Sequence, residues 1–245
     1  MDEQVKRLVD TTWAKLQETP ADRRLLIAIA GAPGSGKTTL SKLVTKAIND
    51  RHLSTHPNDP AIAAFIPMDG YHYSRAQLDT FPNAEEAHRR RGSDFTFDGE
   101  GFVNLVKKAA APLTEETEDI YAPSFDHAIK DPVEKTFRIG RENRVVVFEG
   151  NYILLPNAPW SNALPLYSLK FFIRAPEPTL RARLAARHLA AGIVPTLELG
   201  QARADFNDIP NGRQIQEGLL AHPTGTVDVV LESREDETWA PTASH

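Results

Sequence analysis

Residues Gly31-Ala32-Pro33-Gly34-Ser35-Gly36-Lys37-Thr38 match the pattern G-x-x-x-x-G-K-[ST], and they join two segments of different period. Before them, Leu25 to Ala30 is a continuous apolar run, the pattern of a strand covered on both faces. After them, Leu40, Leu43, Val44 and Ile48 recur at helical spacing and predict a helix over about 38–49. About one chain in a hundred of this length carries the eight-residue pattern by chance. A buried strand before it and a helix start after it make it a structural unit.

That unit constrains the chemistry. Glycines let backbone N–H groups approach phosphate oxygens, and the helix N-terminus adds a favourable dipole. Lys37 is placed to reach β- and γ-phosphates, and the Thr38 hydroxyl to ligate magnesium. The expected ligands are therefore ATP and Mg2+.

The rest of the chain supplies an α/β frame. Ala61 to Met68, Val145 to Phe148, Leu169 to Ile173 and Val227 to Leu231 read as further strands. Helical patterns separate them, which predicts a mostly parallel sheet with helices on both faces. The expected fold is a three-layer P-loop NTPase of the nucleotide-kinase type, with a helical lid. Val5, Leu8, Val9, Trp13 and Leu16 predict an amphipathic helix within residues 1–20, packed on the domain. Residues 21–235 form the expected P-loop domain, with a lid at about 177–213, and 236–245 a tail. The stretch 70–98 is polar and reads as a long loop with one helix.

Composition narrows the partners. The net charge of −5 gives no general attraction to nucleic acid. With no cysteine, disulfides and thiolate metal sites are excluded. No uncharged apolar run approaches the ~20 residues of a bilayer span, and the acidic N-terminus has no signal core. A cytoplasmic protein acting on a small molecule, with no membrane or nucleic-acid partner, is expected. Nothing in the sequence sets an oligomeric state.

Many P-loop proteins are switches or motors. Asp98-Gly99-Glu100-Gly101 matches the D-x-x-G of GTPases, but no buried strand precedes it and no [NT]-K-x-D motif exists. Asp98 reads instead as a helix N-cap. Two acids fall where strands end, Asp69 and Glu149, at the edge where ligands of open α/β sheets bind. A metabolite kinase is the leading reading; a nucleotide-binding or regulatory protein without phosphoryl transfer is the alternative.

Several segments carry a resemblance. They are Met68-Asp69-Gly70-Tyr71-His72, Arg90 to Asp98, Tyr121 to His127 with Asp131-Pro132, and Phe148-Glu149-Gly150-Asn151-Tyr152. Arg183, Arg187, Gly192, Ala202, Arg203 and Asn207-Asp208-Ile209-Pro210-Asn211 continue the series. In this order, over roughly 25–232, the chain resembles the phosphoribulokinase/uridine kinase family, near the branch of bacterial pantothenate kinase and nucleoside/sugar kinase-like proteins.

The resemblance implies a role for each residue. Asp69 would be the base for the acceptor hydroxyl, with Glu149 the alternative base, and Glu149, Thr38 and Asp69 would support magnesium. Thr39 would join the phosphate loop, and Arg187 and Arg203 would belong to a lid over the phosphates. His72, Arg91, His127 and Asn211, with Asp69, would meet the acceptor. The family's uridine kinases have a different lid and a different segment after the first acid, which disfavours uridine. Pantothenate kinase has Asp-Gly-Phe where this chain has Asp-Gly-Tyr. Sugar, sugar acid, nucleoside and pantothenate-like acceptors all stay open.

Other residues read as structural. His52 and His56 stand four apart before Pro57, with no acid evident beside them, as surface-loop residues would. Arg89 and Arg90 read as a solvated face, and Trp13, Trp160 and Trp239 as packing or surface residues.

Overall fold

The computed structural model describes residues 3–126, 128–221 and 227–233. Its strands are β1 (Leu25–Gly31), β2 (Ala63–Pro67), β3 (Ile120–Asp126), β4 (Asp131–Ile139), β5 (Val145–Gly150), β6 (Leu169–Arg174) and β7 (Val229–Glu232). Five of them form one parallel sheet in the order β2-β5-β1-β6-β7, and β3 and β4 pair separately as an antiparallel hairpin. The helices are α1 (Glu3–Glu18), α2 (Lys37–Thr55), α3 (Arg75–Leu78), α4 (Ala84–Arg89), α5 (Gly99–Ala110), α6 (Glu177–Ala190), α7 (Leu197–Arg203) and α8 (Ile209–Ala221).

The two faces of the sheet explain why β1 is apolar throughout. Leu26, Ala28 and Ala30 point into a core with Val146, Phe148 and, from α5, Phe102 and Val106. Leu25, Ile27 and Ile29 point the other way, against Leu8 of α1 and Leu40, Val44 and Ile48 of α2. Alternation along a strand sends neighbours to opposite faces, so a strand covered on both sides has no polar position. Each such side chain contributes roughly 1.5–3 kcal/mol on burial. The mostly parallel three-layer α/β fold is the one the periodicity predicts.

Three local expectations need correction. First, α2 runs to Thr55 rather than stopping near Asn49, so His52 lies in its last turn. An acid is also close by, because Asp59 Oδ2 lies 3.5 Å from His52 Nε2 and the His56 ring stacks on His52 at 4.9 Å. Second, the β3–β4 hairpin stands where no strands were expected. Third, 70–98 holds two short helices, α3 and α4, with single 3₁₀ turns at Met68–Tyr71 and Asp94–Thr96.

The α5 N-terminus is capped as expected, with Asp98 Oδ1 accepting from the Gly101 N–H at 2.8 Å. Trp160 is a core residue, 2% exposed, and Trp13 is half-buried with the Arg51 guanidinium 4.7 Å above it. No described helix is long and apolar enough to cross a membrane. His127, Trp239 and the expected tail 236–245 lie outside the described residues.

Candidate active site

The register of the sheet brings the expected phosphate and acidic groups to one edge. Glu149 pairs with Ile29 on one side and Pro67 on the other. Two residues beyond Ile29 the phosphate loop begins at Gly31; two residues beyond Pro67 stands Asp69. Gly36, the N-cap of α2, has φ 88°, a left-handed conformation that a side chain would resist. Its turn delivers Lys37 and Thr38 straight into the helix start.

Glu149 is the centre of this edge. Its side chain is 5% exposed, with Oε1 3.7 Å from Lys37 Nζ, while the Thr38 hydroxyl donates to Oε2 at 3.1 Å. Burial pushes its carboxyl up to about 7, the Lys37 charge opposes that rise, and the Asp69 charge adds to it. Thr38 is thus hydrogen-bonded to Glu149, and the Asp69 charge acts on the same carboxyl. Such hard donors suit magnesium rather than a soft metal.

Asp69 sits half-buried in the 3₁₀ turn Met68–Tyr71. The next residue must be glycine for a steric reason. A Cβ on Gly70 would lie 2.0 Å from the Pro123 carbonyl oxygen, so the turn packs directly on the β3 backbone. His72 folds back, and its Nδ1–H donates to the Asp69 carbonyl at 2.8 Å. A carbonyl can only accept, which puts the proton of the neutral imidazole on Nδ1. The His72 ring packs between Phe97 and Phe125, at 3.9 and 4.7 Å between centroids.

Two expected acceptor contacts are occupied by the protein itself. The Arg91 guanidinium donates to Asp131 Oδ1 at 2.9 Å and to the Tyr73 carbonyl at 2.7 Å, and lies 5.2 Å from the Phe125 ring centroid. Asn211 is 1% exposed; its Oδ1 accepts from the Ser93 hydroxyl at 2.9 Å and from Arg90 at 3.3 Å. Its amide N–H donates to the Gly92 carbonyl at 3.3 Å.

Arg90 is therefore half-buried rather than solvated, and also donates to Asn207 Oδ1 at 3.0 Å. Tyr152, fully buried, closes the same knot by donating to the Gly92 carbonyl at 2.7 Å. This knot joins the loop at 90–93 to the lid. Its members stood in the matched segments, but their pairing across more than a hundred residues has no local sequence signal.

The expected lid region is built of α6, α7, one π-helical turn at Ala204–Asp208 and α8. Most of its arginines are tied down. Arg181 bridges Glu177 and Asp205 at 2.9 and 2.6 Å, and Arg213 reaches Glu177 at 2.8 Å. Arg183 donates to the Gly34 carbonyl at 3.2 Å and to Ser233 Oγ at 2.7 Å, fastening α6 to the phosphate loop. Arg187 is exposed, and its side chain forms no hydrogen bond or ion pair with a described residue. The Nε of Arg203 is buried without a partner.

Comparison with known proteins agrees with this architecture. No family model matches the chain. A candidate uridine kinase of Schizosaccharomyces pombe, C227.14, is 42% identical over 210 residues, covering 86% of this chain and 83% of the relative. Among solved structures, YFH7 of Saccharomyces cerevisiae is described as a candidate P-loop-containing kinase with a circular permutation. It has a TM-score of 0.82 at 25% identity, covering 96% of this chain and 100% of that one. A candidate fructose transport system kinase from Silicibacter sp. TM1040 has a TM-score of 0.72 at 30% identity, covering 86% and 94%.

Proposed function

The chain belongs to the phosphoribulokinase/uridine kinase family of P-loop kinases, and we propose that it transfers the γ-phosphoryl group of ATP to a hydroxyl of a small polar metabolite. The observation that carries this reading is the single edge on which Lys37, Thr38, Glu149 and Asp69 meet. A protein that only held nucleotide would need no proton acceptor for a hydroxyl, the further role this reading gives Asp69.

In this reading the amides of Gly31 to Thr38, with Thr39 beside them, hold the triphosphate, and Lys37 supplies a point charge to its β- and γ-groups. Thr38, Glu149 and Asp69 would hold magnesium, which supplies charge neutralisation at the phosphate oxygens. The Asp69 carboxylate faces the incoming hydroxyl and accepts its proton. A weak base suffices, because in a loose phosphoryl-transfer transition state that proton leaves late. Arg187 and Arg203 close over the phosphates and exclude water. His72 steadies the Asp69 turn. Residues 21–235 act as the catalytic domain, with α1 as a brace on it.

The test is paired: ATP binding by calorimetry and acceptor-dependent ADP release over a metabolite panel, on wild type and Asp69→Asn. General-base catalysis contributes about 10²–10⁴-fold, so kcat falls by that order in the variant while ATP affinity changes little. A variant equal to wild type in both measurements removes Asp69 from the chemistry. ATP binding without any acceptor-dependent turnover in the wild type refutes the kinase reading.

A further inference from the structure

The acceptor side of the site has an electrostatic character of its own. A cavity of about 430 Å³ opens against Gly70 to Ser74, the stretch that continues Asp69, and the β3–β4 hairpin forms its opposite wall. That volume suits one small-molecule ligand. Its polar wall includes Tyr71, His72, Tyr73, Asp98, Tyr121 and Glu134. No lysine or arginine stands among the described residues that line it.

Arg75 and Arg91 share the one Asp131 carboxylate, and neither lines the cavity. Arg75 Nε lies 3.3 Å and Arg91 Nη2 2.9 Å from Asp131 carboxylate oxygens. Arg90 is held in the knot with Ser93, Asn207 and Asn211. Burial raises Tyr73 above the ordinary phenol range, and the Asp98 and Glu100 charges raise it further.

We propose that the acceptor is an electrically neutral polyhydroxy compound, a free sugar, polyol or nucleoside, and not a sugar acid, phosphate ester or pantothenate-like carboxylate. The inference deepens the kinase reading and rests on it. Carboxylates accept hydroxyl protons, so Asp98 and Glu134 suit a ligand rich in O–H donors. Tyrosine faces suit the apolar side of a ring. An anion in the same place meets the Asp98 and Glu134 charges, with no lysine or arginine among the described lining residues to offset its desolvation.

The experiment separates binding from turnover. With a non-hydrolysable ATP analogue and magnesium present, acceptor binding is followed by saturation-transfer NMR and by calorimetry. The probes are ribose against its terminal phosphate ester, glucose against gluconate, and uridine against its monophosphate. ADP release is then measured on the same pairs with ATP.

The neutral member of at least one pair is expected to bind roughly tenfold or more tighter than its anionic partner. Glu134→Lys, a change at an exposed position, should shift that ratio roughly tenfold towards the anion. Preference for the anionic member overturns the proposal. So does a wild-type protein that binds no member of any pair, or a ratio unmoved by Glu134→Lys. Neutral ligand bound without ADP release upholds the charge preference and refutes phosphoryl transfer, so the two readings fail separately.

Discussion

Lys37 Nζ lies 3.7 Å from Glu149 Oε1, so the cation assigned to the triphosphate in the proposed reading rests against a buried carboxyl. Nucleotide binding must draw Lys37 from that partner to the β- and γ-phosphates. Lys37→Ala should lower turnover by about 10²-fold or more, the scale for losing one pre-placed charge donor. The fold should survive, because a buried Glu149 without its partner can remain protonated. Steady-state ADP release and circular dichroism on the variant check both halves. Full activity in a folded Lys37→Ala protein refutes the assignment.

A pH dependence follows from Glu149. Burial lifts its carboxyl from the usual 4.5 to about 7. The folded protein then holds the proton more tightly than the unfolded chain does. Its stabilising contribution is complete below pH 4.5 and is lost as pH rises through about 7. In EDTA and without nucleotide, denaturant midpoints should fall across that window. Glu149→Gln should flatten this part of the profile. A slope identical in wild type and variant argues that the carboxyl titrates normally.

The lid arginines differ in what holds them, which makes their variants distinguishable. Arg187→Ala removes an exposed side chain without a described partner, so stability should stay within about 0.5 kcal/mol of wild type. Its kcat should nevertheless drop by about 10²-fold or more, with ATP affinity much less affected. Arg203→Ala should follow the same split. Proteolysis of residues 177–213 should slow when ATP and acceptor are both present. An unchanged digestion pattern counts against lid closure.

Gly70→Ala tests the packing behind Asp69. The new Cβ would meet the Pro123 carbonyl at 2.0 Å and must push the turn or the hairpin aside. Overpacking of this kind costs about 1–3 kcal/mol. For a chain of this size that is a fall of roughly 2–12 °C in Tm. Acceptor-dependent activity should fall further than nucleotide binding, since the displaced residues adjoin Asp69. A variant matching wild type in Tm and turnover contradicts the close approach.

The sequence made the parallel sheet legible because its strands are short apolar runs buried on both faces, as in Leu25 to Ala30 and Val145 to Phe148. The β3–β4 hairpin escaped because its faces are mixed. Pro123 interrupts the ladder near a register shift, and Val133 to Arg138 are mostly exposed. A period-two trace did exist in Phe137 and Ile139, set against Glu134, Thr136 and Arg138.

The phosphate loop was readable because it is local in sequence. Arg91 and Asn211 were not, since their partners Asp131 and Ser93 are brought in only by tertiary structure. The end of α2 was missed for a smaller reason: Arg51 to Thr55 is mostly exposed, so apolar spacing carries no signal there.

The hairpin stands outside the parallel sheet, joined to it by neither register nor strand order. In the proposed reading, one wall of the acceptor cavity is thereby carried on a piece of chain separate from the phosphate loop. Descendants of such a protein can exchange one wall without re-threading a core strand. The same separation offers an engineering route: grafting a hairpin from a relative should transplant substrate choice while leaving the nucleotide chemistry in place.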